Sequence, residues 1–199
     1  MLQNIARPEG NTTGVTNAFD SFGGKWLELL MDAPHIKRVA LVFNPETALV
    51  GYISSIEAAA PLLGVQAIKT PVRNPLEMVR AIDAFAAEPN GGLLMVPIPP
   101  IGANREMILR LAVQHRLPAV YPTRQSVDDG GLMTYGPDFP DLYRRAASYV
   151  DRLLRGAKVS ELPVQFPTKF ELIVNLKTAR AIGLTIPEAF LLRADEVIE

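Results

Sequence analysis

The run Val39-Ala40-Leu41-Val42-Phe43 is apolar at every position and stops at Asn44-Pro45. A strand with one wet face alternates apolar with polar residues. An unbroken apolar run has both faces buried, as in a parallel sheet covered on each side. The same unit then recurs. Tyr52, Ile56, Ala59, Ala60 and Leu63 follow helical spacing up to Gly64, with Pro61 ending or kinking the last turn. Val65–Thr70 is a second strand. Asn74-Pro75 opens a helix whose stripe is Met78, Val79, Ile82, Phe85 and Ala86. Leu93–Val96 is a third strand, closed by Pro97. Asn104 caps a helix bearing Ile108, Leu111, Ala112 and His115, and Leu117–Tyr121 is a fourth strand closed by Pro122. Val39 to Tyr121 therefore reads β-α-β-α-β-α-β. Its short connections imply an α/β fold, a parallel sheet with helices on both faces.

The flanks are less regular. Gly23–Met31 reads as a helix with Trp26, Leu27, Leu30 and Met31 inward, and Asn11–Asn17 as a short strand. Leu132–Tyr135, Val164–Phe166 and Phe170–Val174 read as strands. Phe139–Arg155 is a strongly amphipathic helix stopped by Gly156, and Asn175 caps a short helix ending at Gly183. The tail from Pro187 is helical or irregular.

The residue inventory excludes several chemistries. The chain has 199 residues and no cysteine, so disulfides, thiolate zinc sites and cysteine nucleophiles fall away together. A net charge of -1 argues against a generally cationic nucleic-acid binder. The apolar stretch Gly91–Ile101 is short and broken by prolines, unlike a membrane span. The N-terminal residues lack a basic start and a long apolar core, so the chain as written reads as cytoplasmic. No Gly-x-Ser-x-Gly elbow, Walker loop or dinucleotide fingerprint is present. With two histidines, His35 and His115, and no paired-histidine motif, a metal site is not expected. His115 reads as a helix-terminal cation, Asp128-Asp129 as a turn and Arg144-Arg145 as a wet helix face. Asn11-Thr12-Thr13 matches the short glycosylation acceptor pattern. No cofactor is expected.

What remains lies at the strand ends, where open α/β sheets bind ligands. Those ends carry Asn44-Pro45-Glu46, Thr70, Pro97-Ile98-Pro99 and Tyr121-Pro122-Thr123. Stiff proline loops with amides, hydroxyls and a ring suit a small amphipathic ligand better than acid–base catalysis. Asn44 is expected to donate a hydrogen bond and Tyr121 to offer a stacking face. Two other readings stay open at this point: an α/β enzyme using Glu46 and Tyr121, and a cytoplasmic ligand-sensing module.

Several stretches, taken together, resemble a known family. They are Ala6–Gly14, Gly24-Lys25-Trp26-Leu27-Glu28-Leu29-Leu30, Val42-Phe43-Asn44-Pro45, Gly130–Asp138, Tyr143–Ala147, Leu162–Gln165 and Asn175–Ala179. The chain resembles the substrate-binding proteins of bacterial ABC importers, of the tryptophan/tyrosine-binding type. The resemblance implies a type I periplasmic-binding-protein fold, with a small solute such as an amino acid or aromatic acid held between two hinged lobes. It implies a non-enzymatic, periplasmic role beside an ABC permease and no nucleic-acid partner. It places Thr16, Asn17, Asn44, Tyr121 and Tyr135 near the ligand, to which the strand-end reading adds Pro97 and Thr123. By the resemblance, residues 1–22 are the end of the first lobe and a hinge crossing. Residues 23–130 are the second lobe, and 131–199 are hinge crossings with first-lobe and tail segments. A chain lacking most of its first lobe is expected to self-associate through an apolar face around Leu142, Val150, Phe170 and Ile173.

Overall fold

The computed structural model describes residues 4–17, 22–48, 50–97 and 104–199, so Ile98 and Pro99 of the strand-end set lie outside the described residues. The chain divides into two compact units, one of residues 1–19 and 137–170, the other of 20–136 and 171–199.

The larger unit is built on the expected alternation. Its elements are α1 (Phe22–Met31), β1 (Arg38–Phe43), α2 (Val50–Ala59), β2 (Gln66–Pro71), α3 (Pro75–Ala86), β3 (Gly91–Met95), α4 (Arg105–Gln114), β4 (Ala119–Tyr121), α5 (Arg124–Asp128) and β5 (Met133–Pro137). After α6 (Phe139–Leu154) come β6 (Phe170–Asn175), α7 (Leu176–Ala181), α8 (Glu188–Leu191) and β7 (Glu196–Ile198). The strands form one seven-stranded sheet in the order β2-β1-β3-β4-β5-β6-β7. β1 lies inside it, parallel to both neighbours, with Val42 opposite Thr70 on β2 and Met95 on β3. β3–β4, β4–β5 and β6–β7 are also parallel.

Two adjacent glycines show why these strands are apolar throughout. A Cβ on Gly91 would meet the Phe85 ring of α3 at 2.6 Å, whereas one on Gly92 would meet Leu30 of α1 at 3.0 Å. Successive residues point to opposite faces, and each face carries a helix. Ala40, Val42, Leu93, Met95, Ala119 and Tyr121 pack with Met78, Ile82, Ile108 and Leu111 in one core.

Local chemistry sets the helix starts. Asn74 Oδ1 accepts from the Glu77 amide at 2.9 Å, and the Glu77 carboxylate accepts from the Arg73 amide at 2.8 Å. Asn104, the expected cap of α4, makes no capping bond: its ψ of 16° is not the extended geometry a cap needs. Asn175 does cap α7, with Oδ1 accepting from Thr178 at 3.1 Å. The tail supplies β7, too short to register as a strand pattern. It is anchored where the Leu172 amide donates to the Asp195 carboxylate at 2.8 Å and the Asp195 amide returns to the Leu172 carbonyl at 2.9 Å.

In the smaller unit, α6 begins where Asp138 accepts from the Asp141 amide at 2.9 Å. Leu142 and Tyr149 are buried, and the Tyr149 hydroxyl donates to the Pro163 carbonyl at 2.6 Å. The strands expected at Asn11–Asn17 and Val164–Phe166 reduce to a single parallel bridge between Val15 and Gln165. Pro163 and Pro167 bracket that stretch and withhold the donors a longer ladder needs. The uncovered face differs from the expected one. Leu142 and Ile173 are buried, and the exposed apolar residues of α6 are Tyr143, Val150 and Leu154. Among the described residues no helix is long and apolar enough to cross a membrane.

Candidate ligand-binding site

The first five strands run in the order 2-1-3-4-5, so the chain's direction of travel across the sheet reverses between β1 and β3. In open α/β sheets such a reversal marks where ligands bind, outside the carboxyl ends of the two strands. Asn44 follows β1 there, and Pro97 closes the stretch after β3. Asn44 and Pro97 thus follow the two strands between which the order reverses.

Asn44 is held rigidly. Its carbonyl accepts from the Ala48 amide at 2.9 Å and its Oδ1 from the Glu46 amide at 2.8 Å. The residue is 6% exposed. With Oδ1 committed to the turn, the group Asn44 can offer a ligand is its Nδ2 donor. Val96 donates to the Val42 carbonyl at 3.1 Å and Val72 to the Phe43 carbonyl at 2.8 Å, which ties the neighbouring strand ends to the same rim. Thr123 is exposed on the turn after β4, and its hydroxyl lies 3.0 Å from that of Ser126.

Tyr121 lies differently from expectation. Ala119 and Tyr121 share one face of β4, and the ring is packed in the core, 2% exposed. Burial pushes its hydroxyl well above the ordinary range. Packed in the core, the ring has no open stacking face. Tyr135 on β5 is half-buried, and burial, with the charge of Asp195 adding and that of Lys25 opposing, raises its hydroxyl as well. Asn44, Pro97, Tyr121, Thr123 and Tyr135 thus belong to the larger unit. Thr16 and Asn17 belong to the smaller one, where the Thr16 amide donates to the Gln165 carbonyl at 2.9 Å and Asn17 is exposed.

The rim carries little catalytic chemistry. Glu46 is exposed and 3.7 Å from Arg73. Among the described residues no group of three His, Asp or Glu side chains is placed to hold a metal.

One constellation was missed by residue-by-residue reading. Trp26 of α1 stacks on Tyr52 of α2, centroids 5.2 Å apart and planes at 17°. Phe22 stacks on Trp26 at 6.1 Å and meets Tyr135 edge-on at 5.9 Å. The Trp26 Nε1–H donates to the Tyr135 carbonyl at 2.6 Å. The glycines before Trp26 were the available signal. A Cβ on Gly23 would run into the Tyr52 carbonyl and the Ser55 hydroxyl, so α1 and α2 approach this closely only over glycine. The cluster thereby fixes the strand that carries Tyr135.

The model of the family described as ABC transporter substrate binding protein matches residues 1–198. The chain belongs to this family. A curated relative, the tyrosine-binding protein of Clostridioides difficile, is 22% identical over 187 residues. That match covers 92% of this chain and 53% of the relative. A solved conserved domain protein from Vibrio cholerae superposes with a TM-score of 0.87 at 24% identity, covering 98% of this chain and 66% of that one. A Streptococcus pneumonia ABC domain in complex with L-Trp gives 0.85 at 21% identity, covering 99% and 66%. The chain thus spans about half of the curated relative and about two thirds of the solved structures.

Proposed function

We propose that this substrate-binding protein captures a small amino acid or aromatic acid for an ABC importer, outside the cytoplasmic membrane and beside a permease, making and breaking no bond. The observation that carries the reading is Asn44 at the β1/β3 reversal, locked by its own turn with Nδ2 outside that turn's hydrogen bonds. A fixed neutral donor suits a ligand carboxylate, which gains a charge-assisted hydrogen bond and needs no proton transferred. The names of the tyrosine-binding and L-Trp-bound relatives support the ligand class. In this reading Asn44, Thr123 and Tyr135 touch the ligand, Pro97 shapes its wall, and Tyr121 acts from within the core behind them. Thr16 and Asn17 are proposed as the smaller unit's ligand-binding residues.

The test is a thermal-shift and calorimetric screen with L-Trp, L-Tyr, L-Phe, L-Leu and indole-3-acetate at millimolar concentration. A ligand present at a thousand times its Kd stabilises the fold by about 4 kcal/mol. Asn44→Ala should weaken a hit roughly tenfold, the worth of about 1.4 kcal/mol from one hydrogen bond to a charged group. A screen without any shift, or a hit indifferent to Asn44→Ala and Tyr135→Ala together, overturns the reading.

Self-association is part of the proposal. At 100° per residue the apolar residues of α6 cover an arc about 160° wide. Leu142 and Tyr149 fill its buried half; Tyr143, Val150 and Leu154, exposed by 72%, 55% and 84%, occupy the other. A second copy can lay the same stripe against it about a two-fold axis. Sedimentation should then show a dimer that Val150→Glu converts to a monomer; a parent chain that is monomeric across the concentration range rejects it.

A further inference from the structure

At the end of the sheet away from Asn44, each helix turns into the next strand through a residue with a left-handed backbone. Gly64 before β2 (φ +65°) and Gly130 before β5 (φ +107°) do this as expected, because glycine adopts that conformation without strain. The turns into β1, β3 and β4 use His35 (φ 68°), Asn90 (φ 61°) and Arg116 (φ 53°) instead. For arginine the left-handed region is unfavourable, whereas asparagine and histidine adopt it more readily than most. These are the described non-glycine residues with positive φ. β1, β3 and β4 are adjacent in the sheet, so their turns sit side by side. All three residues line one cavity of about 270 Å³.

The cavity has a consistent chemical character. Its walls include Ile36, Leu117, Ile182 and Leu184. Of the charged groups around it, Glu88 is paired with Arg38 at 3.4 Å and His115 with Asp83 at 2.7 Å. Arg116 and His35 have no ion pair among the described residues. A cavity of mixed lining, with the Arg116 guanidinium, the His35 imidazole and the Asn90 amide beside Ile182 and Leu184, fits a small carboxylate with an apolar body. At Arg116, where glycine would relieve the strained backbone, the side chain is one retained for contact.

We propose that this cavity is a second binding site, for a small organic carboxylate, at the amino-terminal edge of the sheet. It is separate from the strand-end site: six residues of β1 at ~3.3 Å each place roughly 20 Å between Arg38 and Asn44. The carboxylate lies against Arg116 and His35, and the apolar body enters toward Ile182 and Leu184. The proposal does not depend on which solute the rim at Asn44 takes.

The experiment titrates the 199-residue chain with 3-phenylpropionate, and with 3-phenylpropionamide as the neutral isostere, following backbone amide signals. The expected result is saturable shifts at Gly91 and Gly183, with the amide isostere binding at least tenfold more weakly. Arg116→Gly is the decisive variant, since it removes the charge while relaxing the backbone. It should weaken 3-phenylpropionate at least tenfold and leave Tm equal or higher; His35→Gly should act the same way, more mildly. Asn44→Ala should leave this titration unchanged. The proposal is overturned by unmoved Gly91 and Gly183 signals, by equal binding of acid and amide, or by an Arg116→Gly chain that titrates like the parent.

Discussion

The indole N–H of Trp26 donates to the main-chain carbonyl of Tyr135 across 109 residues of sequence, at 2.6 Å. The bond joins the first helix of the larger unit to the strand carrying one of the proposed ligand residues. Trp26→Phe keeps an aromatic ring against Tyr52 but leaves that carbonyl without its donor. The expected loss is about 1–3 kcal/mol, read as a lower urea midpoint with an unchanged slope. If Trp26→Phe unfolds at the parental midpoint, the bond contributes nothing to holding β5.

The two glycines ahead of Trp26 should respond in opposite directions. A Cβ on Gly23 lies 2.8 Å from Ile56 Cγ1 and closer still to the Tyr52 carbonyl and the Ser55 hydroxyl. Gly23→Ala must push α1 off α2, at a cost of about 1–3 kcal/mol. On Gly24 the nearest atom is the Ser55 carbonyl at 3.5 Å, an ordinary contact. Gly24→Ala should therefore gain up to about 1 kcal/mol of helix propensity. Thermal melts of the pair decide this, and equal effects would contradict the packing described.

The sheet was legible because burial on both faces leaves an unbroken apolar run, which Val39–Phe43 and Leu93–Val96 both show. Asn74 was legible as a cap because proline and glutamate follow it at the capping spacing. After Asn104 the sequence has neither proline nor glutamate at those offsets, and its backbone turns differently. The smaller unit was misread where Val164–Phe166 looked like a strand, because prolines on both sides matter more than β propensity. The position of Asn44 just past β1 was legible because the apolar run stops there. The inward turn of Tyr121 was not, since sequence gives a residue's position on a strand more readily than which face it shares. Trp26 with Tyr135 is a long-range pairing that no local pattern encodes.

Asn175 carries two bonds that a single substitution separates. Its Oδ1 accepts from the Thr178 amide at 3.1 Å and its Nδ2 donates to the Val127 carbonyl at 3.2 Å. Asn175→Asp keeps the cap but sets a carboxylate oxygen against that carbonyl in a site 5% exposed. Near neutral pH it should cost more than Asn175→Ser, which keeps a capping oxygen without the charge. The alanine variant should lose at least about 1 kcal/mol from the cap alone. Chemical denaturation of the three variants orders them, and an aspartate variant as stable as the serine one would show that the carboxylate is not held against the Val127 carbonyl.

Tyr121 also sets an alkaline limit on the fold. Burial pushes its hydroxyl far above the ordinary value of 10.0, so the folded state holds it protonated. Below that ordinary value the phenol is neutral in folded and unfolded chains alike, and its contribution is fully present. Above it the unfolded chain ionises while the folded one does not. The unfolded state then binds fewer protons, and stability falls with rising pH by up to about 1.4 kcal/mol per unit from this one group. Tyr135, raised in the same direction but less buried, adds a smaller slope. Tyr121→Phe should flatten the decline above pH ~10 while leaving the neutral-pH fold intact, whereas Tyr135→Phe should flatten it less. The measurement is unfolding free energy against pH for the three chains. An unchanged alkaline slope in Tyr121→Phe would mean that the hydroxyl ionises in place, from a position open to water.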